Sequence, residues 1–95
     1  MALTEALAAQ TTAATSNAIS LSGPTKFVAD DLSDGESVAI HRIRVDGAYE
    51  AALIGHGQGP IVLTKHQPGV IIEDYAEVKV IKGVTVNAVA VGYAS

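Results

Sequence analysis

From Ser16 to Tyr93 apolar side chains recur mostly at every second residue, the period of a strand with one face buried. Ile19 and Leu21 alternate with Ser20 and Ser22 before Gly23-Pro24 interrupts, which predicts a strand over 16–22. A second short strand runs from Lys26 to Ala29 and stops at the polar stretch Asp30 to Gly35. The third, Ser37 to Val45, is irregular: Val38 and Ile40 share one parity, Ile43 and Val45 the other. Either a β-bulge near His41 and Arg42 restores a single buried face, or the strand is covered on both faces. Asp46-Gly47 then closes a hairpin into Tyr49 to Ile54. Short strands follow at 61–63 and 70–72, and Ala76, Val78 and Val80 alternate with Glu77 and Lys79. The pattern ends in a strand over 84–93, with Val84, Val86, Ala88 and Ala90 on one face and Thr85, Asn87, Val89, Val91 and Tyr93 on the other.

About eight short strands punctuated by turn residues, with no helical period in the body, predict an all-β protein, an antiparallel β-sandwich or small jelly-roll. Residues 1–15 do not join this pattern. MALTEALAAQ could form a helical turn, whereas TTAATS favours extended backbone, so the stretch is expected to be an extended N-terminal arm ahead of a single β domain over 16–95. Such an arm is either a frayed terminus or a segment that orders against a neighbouring subunit. The stripe of Val89, Val91 and Tyr93, on a face that Thr85 and Asn87 begin in water, is expected to be covered by the arm or by another chain.

Composition narrows the partners. The net charge is −4, and the six Lys and Arg residues are not clustered, which disfavours nucleic acid. Phe27, Tyr49, Tyr75 and Tyr93 are the only aromatics, too scattered for a base-stacking platform. No apolar run is long enough for a transmembrane helix, and the first residues lack the basic region of a secretory signal, so no membrane association and synthesis in a cytoplasm are expected. With no Cys, disulfides, thiolate zinc sites and cysteine nucleophiles are excluded together. A chain of 95 residues leaves little excess stability for a lone domain, which favours self-association. The acids Glu5, Asp30, Asp31, Asp34 and Glu36 face only Lys26 in the first 40 residues, a polarity that contacts between copies could use.

No catalytic constellation emerges, and no cofactor is expected. His41, His56 and His66 are 15 and 10 residues apart, without the paired spacing that pre-forms a metal site. The run D-D-L-S-D-G-E over 30–36 is rich in oxygen ligands but does not follow the alternation of an EF-hand; a solvated turn and a calcium loop both remain open. G-H-G-Q-G-P at 55–60 leads into a strand and lacks the Lys-Ser or Lys-Thr of a phosphate loop, leaving a plain loop or a partner-contacting tip. Glu73 and Asp74 would point to opposite faces of a strand, a poor acid/base pair. Arg42 and Arg44 share a face if pairing is regular, and form either a solvated stripe or a cationic contact for a neighbour.

The order of segments resembles small virion structural proteins of tailed bacteriophages, most of all head decoration, or capsid cement, proteins. The resemblance spans about residues 16–95 and is carried by Gly23, Pro24, Phe27 to Asp30, Leu32, Asp34 to Glu36, Val38, Asp46, Gly47, Tyr49 and Tyr75. The short Asp46 to Tyr49 hairpin and the G-H-G-Q-G-P loop depart from that pattern. The resemblance implies a non-enzymatic β module on the capsid exterior, bound to the lattice of the major capsid protein, often as a homotrimer, and stabilising the shell. Expected contact residues are Leu3 and Leu7 in the arm, Arg42 and Arg44, and Val89, Val91 and Tyr93. A tail, fibre or baseplate component is the competing expectation, followed by a carbohydrate-binding or adhesin domain.

Overall fold

The computed structural model describes residues 3–44, 46–51, 61–72 and 77–94, with Ala51 described by its backbone alone. Among these residues the chain forms strands β1 (Thr4–Gln10), β2 (Ala14–Thr15), β3 (Ile19–Ser20), β4 (Thr25–Ala29), β5 (Ser37–Ile43), β6 (Tyr49–Ala51), β7 (Val62–Thr64), β8 (Gly69–Ile72), β9 (Glu77–Lys82) and β10 (Val89–Ala94). They build two antiparallel sheets, one in the order β1-β10-β4-β8 and one with β9 and β5 at its centre. In the second sheet β2 and β3 share the outer edge of β9, while β6 and β7 share that of β5. The all-β class is as expected, and the two sheets pack as a β-sandwich.

The core lies between them. Leu7, Phe27, Ala29, Ile72, Val89 and Val91 from the first sheet meet Ile19, Val38, Ile40, Leu63, Val78 and Val80 from the second in one buried cluster. Phe27 is fully buried and its ring stacks on Tyr93, with centroids 5.7 Å apart. Lys82 ends the inward parity of β9 and is also buried; its ammonium donates to the carbonyls of Thr12 (2.6 Å) and Gly83 (3.1 Å). The aliphatic stem packs inside while the head finds polar partners at the rim.

Residues 4–10, expected as an arm, are extended and pair with β10 of their own chain. Leu7 lies opposite Val91 and both are buried, so the arm is the outer strand of the first sheet. The pairing slips twice, between Glu5 and Leu7 and between Leu7 and Gln10, and these bulges erase the period that would have marked a strand. Gly92 makes the approach possible: a Cβ there would stand 2.9 Å from the Leu3 Cβ.

Near His41 the structure shows neither the expected bulge nor a strand buried on both faces, since Ala39, His41 and Ile43 stay half-buried on the outer side. β5 pairs in continuous register with β9 over Val38 to Arg42 and with β6 over His41 to Ile43. Ile43 therefore turns outward, half-buried opposite Tyr49, and Arg42 takes the inward parity where the sandwich ends. Val45, the strand expected over 52–54, the loop 55–60 with His56, and Glu73 to Ala76 lie outside the described residues.

Ser16 bridges the two short strands on β9. Its N–H donates to the Val80 carbonyl (2.8 Å) and its Oγ accepts from the Val80 N–H (2.8 Å). The hydroxyl thus stands in for a ladder carbonyl where the chain steps from β2 to β3. Ser16→Ala would leave the Val80 N–H buried and unpaired, so a loss of about 1–3 kcal/mol is expected in urea unfolding. A loss under a few tenths would mean that water or a backbone shift repairs the ladder.

Candidate interaction surface

The residues singled out in the sequence separate into two groups. Leu7, Val89 and Val91 fill the chain's own core and offer no surface to a neighbour. Of the stripe expected on the last strand, Tyr93 alone reaches the surface, half-buried on Phe27, and Leu3 stays 47% exposed beside Gly92. The start of this strand is the main correction. Regular pairing begins at Val89, and residues 84–88 are a loop that leaves Val84 and Val86 each 78% exposed.

That loop is held down. Thr85 is buried, its backbone N–H donates to the Thr11 carbonyl (2.9 Å), and its Oγ1 donates to the Asn87 carbonyl (2.8 Å). The Val86 N–H donates to Glu36 Oε2 (2.7 Å), and Asn87 Nδ2 donates to the Asp31 carbonyl (3.3 Å). The acidic run 30–36 is therefore a structural turn on the other side of this contact. Glu36 Oε1 accepts the Ser33 N–H (2.8 Å), Leu32 is buried, and Asp31 (φ 62°) and Gly35 (φ 82°) supply left-handed backbone. Asp34 faces Lys65 (3.5 Å) and His66 (3.6 Å). Among the described residues no three His, Asp or Glu side chains gather as a metal site.

Arg42 and Arg44 come together, but with acids between them. Arg42 pairs with Glu50, while Arg44 reaches Asp46 (3.2 Å) and Glu50 (3.9 Å). The four side chains line an open depression of about 370 Å³ with no net charge. Exposed pairs of this kind contribute little stability, and among the described residues the charges lining the depression cancel.

On the outer face of the second sheet, Tyr49 donates its hydroxyl to Glu77, and the Lys79 ammonium sits 4.6 Å from the centre of the Tyr49 ring. The hydrogen bond to Glu77 raises the Tyr49 phenol above its usual range, helped by desolvation and by the charge of Glu77. His41 lies beside Lys79 on this face, half-buried and remote from His66 on the β7–β8 turn.

An antiparallel β-sandwich with a pinned apolar loop at one end is the class of protein that fold and surface define. No family model matches the chain, and neither a curated protein nor a solved structure does. Sequence reasoning missed Val84 and Val86 because alternation was carried back across the loop. The signal against it was Gly83 with Asn87, two residues that favour irregular backbone within five positions.

Proposed function

We propose that this protein is a non-enzymatic structural component of a tailed-phage virion that decorates the outer capsid lattice in many copies. Its contact is the end of the sandwich that bears Val84 and Val86. The observation that carries the reading is the pair of exposed valines on a loop pinned by Glu36, Thr85 and Asn87. An ordered apolar knob costs little entropy to dock. The segment F-V-A-D-D-L-S-D-G-E-S-V, which carries the likeness to capsid cement proteins, builds β4, the acidic turn and the start of β5, and through Glu36 it positions that knob. Repetition across a symmetric shell multiplies a modest interface.

Co-sedimentation with purified shells tests this. Burying a valine is worth roughly 1.5 kcal/mol or more, so the double variant Val84→Ser, Val86→Ser is expected to bind about a hundredfold more weakly while keeping the far-UV circular dichroism of the parent. Parent protein that fails to co-sediment, a double variant that binds as tightly as the parent, or particle images that place the protein on the tail would each overturn the assignment.

A further inference from the structure

Among the described residues the two sheets have four edges, and they are guarded unequally. The β1 edge carries Glu5 and two register slips. In the second sheet the edges are broken into β2 with β3, two residues each, and β6 with β7, three residues each. β8 is different: its four residues, Gly-Val-Ile-Ile, are uncharged and pair with β4 in unbroken register. Ile71 stands 62% exposed on the outer face. Among the described residues no strand covers its far side. Charges, bulges and short strands are how natural edges avoid pairing, and β8 lacks the first two.

Its hydrogen-bonding groups can be assigned. The Ala29 N–H donates to the Pro68 carbonyl (2.9 Å), while the Asp30 N–H, on the other side of the strand, donates to the Ala90 carbonyl (3.1 Å). Alternation along an antiparallel ladder then directs Val70 and Ile72 to β4 and turns the N–H and C=O groups of Gly69 and Ile71 to the open edge.

We infer that β8 pairs antiparallel with β8 of a second copy of this chain about a two-fold axis at Val70, joining the two first sheets into one continuous sheet. The sequence is self-complementary in this register. Gly69 and Ile71 exchange about four backbone hydrogen bonds with Ile71 and Gly69 of the second copy, so each isoleucine lies against a residue without a side chain. Val70 meets its twin on the inner face, where it already packs against the core. Pro68 falls opposite Ile72 of the second copy at a non-hydrogen-bonded position, where its missing N–H is not needed. Lys26, beside Ile71 on the outer face, ends three strand spacings from its twin. That is about 14 Å, beyond a screening length of about 8 Å at physiological salt.

The pairing does not depend on the virion reading and is tested without shells. Light scattering across a concentration series is expected to show a mass approaching twice 9.7 kDa. Ile71→Lys, at an exposed site, should keep the circular dichroism of the parent and raise the dimer dissociation constant at least tenfold. Because the chain has no Cys, Val70→Cys supplies a single thiol. Its twin would lie at about 4.5 Å between Cα atoms, within disulfide reach, so mild oxidation should yield a covalent dimer that adding Ile71→Lys suppresses. A parent that stays one chain in mass up to millimolar concentration overturns the inference. So does a dimer or trimer whose mass Ile71→Lys leaves unchanged.

Discussion

Removing residues 2–10 is expected to unfold the protein rather than release a free arm. The deletion takes away β1, and with it Leu7, which is 5% exposed in a core of modest size. Truncating a buried leucine alone costs about 2–5 kcal/mol, against a total stability of about 5–15 kcal/mol for a domain. The deletion also uncovers Val91 and strips β10 of its ladder on one side, turning a central strand into an edge that carries Val89 and Val91. Far-UV circular dichroism and soluble yield read the outcome: loss of the β signal, or aggregation, is expected at 25 °C. A shortened chain that keeps the parent's urea midpoint would show that β1 is dispensable, and residues 4–10 would then be available to a neighbouring subunit.

The sequence pattern puts expected contact with the shell on Leu3 and Leu7, on Arg42 and Arg44, and on the Val89 to Tyr93 stripe. In the structure the first and last of these regions answer one another, Leu7 against Val91 and Thr4 against Tyr93. Among the described residues the exposed large apolar side chains are Leu3, Ile71 on β8, and Val84 and Val86 in the 84–88 loop, which Glu36 holds in place.

What the sequence revealed follows from how strongly each local pattern constrains the chain. β9 was legible because Val78 and Val80 alternate with Glu77 and Lys79, and both valines are fully buried. The Asp46-Gly47 turn was legible because glycine tolerates positive φ, and Gly47 adopts φ of 86°. β1 was not, because alanine has weak strand preference and the two slips leave Leu7 as its sole buried anchor. β10 was misplaced for the opposite reason: Val84 and Val86 extend an apparent alternation through a loop whose course is set by Glu36, fifty residues earlier in the chain. Tertiary hydrogen bonds of that range leave no local trace. The parity break in β5 was visible, but its resolution was not, since it required knowing that Arg42 reaches the open end of the sandwich and meets Glu50.

Phe27→Ala is the single substitution expected to cost most. Phe27 is the only phenylalanine, the chain has no tryptophan, and the ring is fully enclosed between the sheets. It sits in β4 with Tyr93 opposite on β10 and Val70 opposite on β8, so it fills the centre of the first sheet's inner face from both sides. A phenylalanine-to-alanine change in a core costs about 3–5 kcal/mol, and the lost stacking on Tyr93 adds roughly 0.5–1.5 kcal/mol. With a urea dependence of about 1 kcal/mol per molar for a chain this small, the midpoint should fall by about 3 M or more, enough to leave much of the variant unfolded without denaturant. Phe27→Leu separates volume from stacking. It restores most of the apolar filling but not the ring, and is expected to recover more than half of the loss. If Phe27→Ala shifts the midpoint by less than about 1 M, the ring does not bridge the sheets, and the close packing of β4 between β10 and β8 would have to be abandoned.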